Sequence, residues 1–371
     1  MNIDIIDKET IRKCFFCNSL NSTLKIKIDN APLVLGCTNQ IENTDKLISY
    51  NVFKCKSCGL IFTDICLDQD AAYSEIHCEA LGKIWQEHHQ SFSKFINSKK
   101  KYTGMGLEIG PSINPVLRKK TIFVDMFEKS PFNLFKDEKY LKGQFQDISL
   151  NEKFKVIVAS HVFEHATNPE QFLNKAKDML TDDGEIYLSI PIFELWFNNK
   201  YWNAISTEHQ IYPTVTQIKT ICKKLNLNPI FDYFQNHSVF IRINKGNLIE
   251  EDDQQNIDVI GWAESIKSSI FTVEKIINDD QIQDLFICGA SHLSQYPIMM
   301  SKKIQNKIKF VLDNSTNKHG KRLYGTSHIC KPFEIIKLFK KPYIILFNSP
   351  YRNEMAEQIK GINDNSIVIF G

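Results

Sequence analysis

Two C-x-x-C pairs and four polar strand ends are the parts of this sequence that could do chemistry. Cys14-Phe-Phe-Cys17 and Cys55-Lys-Ser-Cys58-Gly59 each set two thiolates on one turn, where both can reach one ion. Four sulfurs complete a closed tetrahedral shell with no position left for a substrate, so the pattern predicts a structural Zn2+ rather than a catalytic one. Farther along, an apolar run (Met105, Leu107, Ile109) carries Glu108 and turns at Gly110-Pro111-Ser112. A strand that ends in a glycine turn lets a ligand approach the backbone, and a helix after it presents its amino end to that ligand. Thr121-Ile-Phe-Val-Asp125 reads as a strand ending in a carboxylate placed for two ribose hydroxyls. Gly143-Gln-Phe-Gln-Asp147 ends in a second, suited to the exocyclic amine of adenine, and Phe154-Lys-Val-Ile-Val-Ala159 runs into Ser160-His161. Ligands of such sheets sit at the carboxyl ends of the strands, so Glu108, Gly110, Pro111, Asp125, Met126, Asp147, Ile148, Ser160 and His161 are the expected cofactor-binding residues.

Strand ends of this kind need a parallel sheet with crossover helices to hold them. From about Lys101 to about Ile243 short apolar runs alternate with amphipathic helical text, which is that signature. Asn114-Pro115 predicts a short first helix. Asn168-Pro169-Glu170 opens a longer one with Phe172, Leu173, Ala176, Met179 and Leu180 on one face. Asp182-Asp183-Gly184 is expected to end it, and Glu185 to Ile190 to return as a strand stopped by Pro191. Around the cysteines, Leu24 to Ile28 and Leu33 to Leu35 read as strands, and Val52-Phe53 and Leu60-Ile61-Phe62 as a hairpin about the second knuckle. Cys37, Cys66 and Cys78 lack knuckle spacing and read as packed thiols. Gly246 to Asn256 is polar and acidic, a linker, and helical text follows from Val259 to Asn278. Leu285-Phe-Ile-Cys-Gly289-Ala290-Ser291 is a second strand with a glycine turn, and Ile308 to Asp313 a strand ending in an acid. Tyr343 to Phe347 and Ser366 to Phe370 are further buried strands. The expected class is α/β: a zinc-binding module over residues 1–75, a Rossmann-like core with a leading helix over 76–245, and a smaller Rossmann-like domain over 246–371.

The bulk numbers fit that plan. A chain of 371 residues with 43% apolar content can bury more than one core. A net charge of +2 argues against a general nucleic-acid surface. No apolar run is long enough to span a membrane, and the amino terminus lacks a basic-then-apolar signal, so a cytoplasmic protein is expected. Ten cysteines without such a signal read as metal ligands plus buried thiols, not disulfides.

The central region resembles the class I S-adenosylmethionine-dependent methyltransferases. The resemblance rests on Leu107 to Gly110, Asp125, Asp147, and the block Val156-Ile-Val-Ala-Ser-His-Val-Phe-Glu-His165 through Asp183-Gly184 to Pro191. Ser112 and Asn114 stand where that family's loop usually has glycines. The short span to Asp125 favours S-adenosylmethionine over NAD. His161 and His165 read as pocket-wall or packing residues. The whole layout resembles the bacterial sugar C-methyltransferases, which act on nucleotide-linked 4-keto-deoxysugars. Asp313-Asn-Ser-Thr-Asn-Lys-His-Gly320 with Gly325 is similar to that family's carboxyl-terminal pattern. Ile205-Ser-Thr-Glu-His-Gln-Ile-Tyr212 resembles its Y-x-E-H segment, with Ser206 where tyrosine is usual. The resemblance implies that His209 removes the proton from the carbon beside the ketone, and that Glu208 holds a sugar hydroxyl or tunes the histidine. It places Ser206, Tyr212 and the turn Gly289-Ala290-Ser291 at the substrate, a nucleotide diphosphate sugar whose charge the turn's amides would meet. Two other readings stay open. Ser206 points to an O- or N-methyltransferase acting on another glycan or nucleotide-linked substrate. The missing glycines point to a non-catalytic binding protein, against which the retained Glu108, Asp125 and Asp147 count.

Overall fold

The amino-terminal text alternates apolar and polar residues, and it folds as an antiparallel sheet. In a computed structural model that describes residues 1–65, 82–98, 104–111, 113–246 and 256–371, its strands are β1 (Asn2–Ile11), β2 (Asn21–Pro32), β3 (Cys37–Thr38), β4 (Leu47–Cys55) and β5 (Ile61–Thr63). β1, β2, β4 and β5 lie side by side in that order, and β3 leaves the sheet. The cysteine pairs occupy the turns after β1 and between β4 and β5, with the expected hairpin around the second. Leu33 to Leu35, expected as a strand, is a bend: β2 stops at Pro32, which has no amide to donate, and Leu33 N turns to Lys46 O at 3.1 Å. Cys66, Cys78, Ser112 and the predicted boundary at residues 75 and 76 lie outside the described residues, as does most of the expected linker.

The middle of the chain forms β6 (Gly106–Ile109), β7 (Thr121–Asp125), β8 (Lys139–Lys142), β9 (Phe154–Ser160), β10 (Leu180–Pro191), β11 (Ile211–Tyr212), β12 (Leu227–Phe234) and β13 (Ser238–Lys245). All but β11 make one sheet, ordered β12-β13-β10-β9-β6-β7-β8. β10, β9, β6, β7 and β8 run parallel and β13 antiparallel beside β10, which makes this a Rossmann-like core. Near-continuous apolar strands such as Phe154–Ser160 are what a sheet covered on both faces requires. The helix Lys83–Ile96 packs Phe92 and Ile96 on Val156, Val158, Tyr187 and Phe240. The helix Pro169–Met179, capped by the Asn168 side chain on Gln171 N at 3.0 Å, covers the other face.

Three local expectations are corrected. No helix follows Asn114-Pro115 among the described residues; Val116 N and Leu117 N instead donate to the Glu108 carboxylate at 2.8 and 2.7 Å. Gly143 to Asp147 is a turn after β8, not a strand end. The helix stops at Met179, and Asp182-Asp183-Gly184 lies inside β10 where its register on β9 shifts, so Pro191 is the last residue of the strand.

The last third contributes β14 (Leu285–Cys288), β15 (Ile308–Leu312), β16 (Arg322–Leu323), β17 (Cys330–Lys331), β18 (Tyr343–Leu346) and β19 (Ile367–Phe370). Its parallel sheet runs β17-β15-β14-β18-β19, a second and smaller Rossmann-like unit. Two pairings stitch the thirds together. β3 pairs with β16, and β11 leaves the core to pair with β5, setting Ile211 opposite Phe62 and Tyr212 opposite Ile61.

Beside the first seam, Arg322 Nη1 and Nη2 donate to Asp45 Oδ2 and Oδ1 at 2.6 and 2.8 Å, and Gly325 N donates to Oδ2 at 2.6 Å. Both side chains are largely buried. Removing one partner of such a pair leaves an uncompensated charge, so Asp45→Ala is expected to lower stability by about 3 kcal/mol in denaturant titration. A change below about 1 kcal/mol would mean that water replaces the carboxylate there.

Candidate active site

Most of the strand ends singled out by the sequence meet on one edge of the core sheet. Gly110 turns at φ +62, and a Cβ on it would lie 2.5 Å from Val162 Cγ2, so only glycine lets this turn lie so close to the end of β9. Glu108 stands behind the turn. It is wholly buried, its two oxygens hold the 116–117 amides, and burial pushes its carboxyl up to about 8. Its role at a ligand is therefore to shape the loop. Asp125 closes β7 and accepts Met126 N at 2.7 Å. Asp147 is exposed and Ile148 half-buried on a turn pinned by Lys175 Nζ, which donates to Phe145 O at 2.7 Å, Gln146 O at 3.0 Å and Ile148 O. Pro111 is buried, Ser160 ends β9 and His161 follows it. His161 takes φ +54, a backbone region that costs a non-glycine residue energy and is concentrated at functional sites.

The segment from Ile205 to Tyr212 is a loop that becomes β11. Its backbone is held from two sides: Thr63 Oγ1 donates to His209 O at 3.1 Å, and Gln210 N donates to Glu164 O at 2.9 Å. Ser206 and Tyr212, expected at the substrate, commit their hydroxyls inside the segment. Ser206 Oγ accepts Glu208 N at 3.1 Å, and Tyr212 OH donates to Ser206 O at 3.1 Å while accepting Ser206 N at 3.2 Å. With serine at 206 the side chain is short enough to close its own turn. Glu208 is buried and acts electrostatically on His292 of the helix His292–Met300.

His209 meets Glu164 and His165, with one ligand-type atom of each within 4.8 Å of the others. The His165 ring stands edge-on to the His209 ring at 4.9 Å. Glu164 is fully buried, and neither carboxylate oxygen has a hydrogen-bond partner among the described residues. His161 Nδ1 lies 3.4 Å from Oε1, and burial holds that imidazole down to about 3, in its neutral form. Burial raises Glu164 to about 7 and holds His209 well below the usual imidazole range, which favours the neutral ring. Among the described residues, His209 Nδ1, Thr207 Oγ1 and both ring nitrogens of His292 are also buried without a hydrogen-bond partner. Neither the Glu164 carboxylate nor His237 and Ser238 were singled out from sequence. An acid and a histidine directly after a buried strand end were the available signal for Glu164. Nothing local announced the other two.

A second cluster adjoins the first. His88, His161 and His237 bring ring nitrogens within 4.8 Å, and Trp85 stands edge-on to His161 and His237 with centroids at 4.8 and 4.6 Å. Its nitrogens are occupied by hydroxyls: His88 Nε2 by Ser189 at 2.8 Å, His161 Nε2 by Ser238 at 3.0 Å, His237 Nδ1 by Ser238 at 2.6 Å. They form a hydrogen-bonded chain rather than an empty ligand set.

The four knuckle cysteines converge, with Cys14 Sγ 3.6 Å from Cys58 Sγ and Cys17 Sγ 3.5 Å from Cys55 Sγ. An ion with sulfurs about 2.3 Å away sets them about 3.8 Å apart, so this donor set fits a tetrahedral divalent ion. Gly59, at φ +73, carries the chain past the knuckle, and Gln217 Nε2 of the core donates to Cys58 O at 2.8 Å. The carboxyl-terminal turn is corrected as an anion site. Gly289 N donates to Leu312 O at 2.9 Å, Ala290 N to Asp313 Oδ2 at 2.8 Å and Ser291 N to Gly289 O at 2.7 Å, so every amide is already taken, one of them by an acid. Among the described residues, no helix is long and apolar enough to cross a membrane.

Residues 79–230 match the family described as Methyltransferase domain. No curated protein matches the chain. Among solved structures, the chain is similar to the N-methyltransferase NodS from Bradyrhizobium japonicum WM9 in complex with S-adenosyl-L-homocysteine, at 14% identity over 44% of this chain and 89% of that one, with a TM-score of 0.35. It is likewise similar to 1,6-didemethyltoxoflavin-N1-methyltransferase from Burkholderia thailandensis, at 10% identity over 44% and 82% of the two chains, with a TM-score of 0.36.

The burial of Glu164 gives a direct test. An acid whose folded pKa is raised binds its proton more tightly than in the unfolded chain, so its protonated form stabilises the fold at low pH. That contribution is lost as pH rises from the ordinary carboxylate range to about 7. Glu164→Gln, which cannot ionise, is expected to be more stable than wild type above neutrality, by up to roughly 3 kcal/mol, and equal to it in acid. Infrared titration should show a carboxyl band with a midpoint about 7 that the variant lacks. A wild-type chain without that band would place a water or cation on the carboxylate.

Proposed function

We propose that this S-adenosylmethionine-dependent methyltransferase methylates the carbon beside the ketone of a nucleotide-linked 4-keto-deoxysugar, with His209 as the base. The observation that carries the reading is the buried, unpartnered pairing of His209 with Glu164. A C–H beside a ketone is a weak acid, and its removal needs a base kept away from water. An acceptor that is already an amine needs less. Burial keeps His209 neutral, with a lone pair open to the proton, and the Glu164 carboxylate within 4.8 Å would stabilise the imidazolium that burial disfavours. Thr207 Oγ1 and the His292 ring nitrogens, buried without a hydrogen-bond partner among the described residues, are polar groups a sugar would satisfy. S-adenosylmethionine supplies an activated methyl group. Gly110 admits its approach, Asp125 accepts its ribose hydroxyls and Asp147 its adenine amine. In this reading the three units are residues 1–75, 76–245 and 246–371, and Cys14, Cys17, Cys55 and Cys58 hold one structural zinc. The second reading is O- or N-methylation. It draws on Ser206, whose hydroxyl is turned into its own loop and leaves no phenol beside a ketone oxygen.

Three measurements test this reading. Asp125→Ala is expected to weaken S-adenosylhomocysteine binding by roughly 1.5–3 kcal/mol in calorimetry, and unchanged affinity would remove Asp125 from the cofactor. His209→Ala should keep that affinity and lose about 10²–10⁴ in turnover, together with solvent deuterium exchange at the carbon beside the ketone. If wild type exchanges and methylates no keto-sugar but forms an O- or N-methyl product, the second reading takes over. Elemental analysis should find about one zinc per chain, lost in Cys55→Ser. A second equivalent that disappears in Glu164→Gln would make the Glu164 cluster a metal site and overturn the assignment of the base.

A further inference from the structure

Transfer of a methyl cation to an acceptor that bears hydrogen forms one bond to carbon, breaks the donor's S–C bond and frees one proton. That proton is freed beside Glu164, which is fully buried, so it needs a way out. We propose that Glu164, His161, Ser238, His237 and Tyr351 form a proton relay from the buried base to the edge of the carboxyl-terminal third. Three of the four links are hydrogen bonds, and the first is a close approach. Glu164 Oε1 lies 3.4 Å from His161 Nδ1, a distance that such contacts commonly shorten when substrate binds. His161 Nε2 is 3.0 Å from Ser238 Oγ, Ser238 Oγ is 2.6 Å from His237 Nδ1, and His237 Nε2 is 2.8 Å from the Tyr351 hydroxyl. Ser238 and His237 are fully buried, whereas Tyr351 is only partly so.

The proton count closes at every atom. His209 gives the acceptor's proton to the Glu164 carboxylate. The carboxylic acid donates to His161 Nδ1 while His161 Nε2–H passes its proton to Ser238 Oγ. The serine hydroxyl hands on its own to His237 Nδ1, and His237 Nε2–H delivers to Tyr351, whose hydroxyl proton leaves. Both rings must therefore hold the same tautomer, protonated at Nε2. Burial keeps His161 and His237 neutral at rest, so the relay passes a proton without storing one, and only Glu164 holds it near neutrality. Trp85, edge-on to both rings, keeps them in line. The inference rests on methyl transfer and on the place of His209, not on which atom is methylated.

Two arms test it on the full chain bound to S-adenosylhomocysteine, with calorimetry as the check that each variant is folded. Nitrogen NMR of histidine-labelled protein should show His161 and His237 both protonated at Nε2. Ser238→Ala should shift both rings and leave His319 alone. Opposite tautomers in the two rings, or rings indifferent to Ser238→Ala, overturn the relay. In turnover with nucleotide-linked 4-keto-sugars, Ser238→Ala and Tyr351→Phe should lower kcat about tenfold or more at unchanged KM for S-adenosylmethionine. Added imidazole should restore the rate. Wild-type kcat without buffer dependence overturns it as well. Should no sugar be methylated, the proposed acceptor fails, and the tautomer arm still decides the relay.

Discussion

Two residues of strand pairing, Ile211 on Phe62 and Tyr212 on Ile61, are the constraint on which the site depends. A two-residue strand cannot order itself; it borrows order from the sheet it joins. That sheet edge, β5, begins three residues after Cys58, so the geometry of the cysteine cluster sets where β5 runs. Thr63 then grips the His209 carbonyl, and Gln210 takes the Glu164 carbonyl. Gln217, in the helix that follows, closes the circuit by donating to Cys58 O. The cysteine module is thus joined mechanically to the segment that carries His209. Four thiols in contact cannot all ionise together without a cation, so a metal held there would tie the fold of the module to the position of His209.

Exclusion of water does the rest. Burial acts in opposite directions on a carboxyl and an imidazole, raising the first and lowering the second. Glu164 and His209 lie close together, so desolvation favours the uncharged forms of both, while their attraction favours the ion pair. The two effects oppose one another, which leaves the proton's position sensitive to any polar group that reaches the pair. A ligand that hydrogen-bonds Thr207 and His292 would change that balance, because their polar atoms are unpartnered in its absence.

Much of the fold was legible because it follows from local pattern. Near-continuous apolar runs gave β9 and β10, the Asn168-Pro169 start gave the helix behind them, and the two C-x-x-C pairs gave the cysteine cluster. The errors fall where a tertiary partner overrides a local signal. Asn114-Pro115 looks like a helix start, yet Glu108 attracts the 116–117 amides into a buried carboxylate, and a helix cannot form around it. The site was half legible for the same reason. Asp125 and the Glu208-His209 segment carry their own context. His237, Ser238 and Tyr351 come from distant parts of the sequence and acquire meaning only when β13 and the carboxyl-terminal third are folded against β9.

The two Rossmann-like sheets show how one residue decides whether such a turn is open. In the core, Gly110 N bonds Val124 O at 2.8 Å; in the last third, Gly289 N bonds Leu312 O at 2.9 Å. The turns correspond residue for residue, so Asp125 matches Asp313 and Pro111 matches Ala290. Asp313 reaches across and takes the Ala290 amide at 2.8 Å, with Ser315 N on its other oxygen at 2.9 Å and Lys318 Nζ nearby at 3.3 Å. The place a ligand would occupy is filled by the protein's own carboxylate. Asp125 cannot be captured in this way, because proline at 111 has no N–H to offer. The carboxyl-terminal sheet therefore serves the site through the helix that follows its turn, which carries His292 to the segment 205–209, and not through the turn itself.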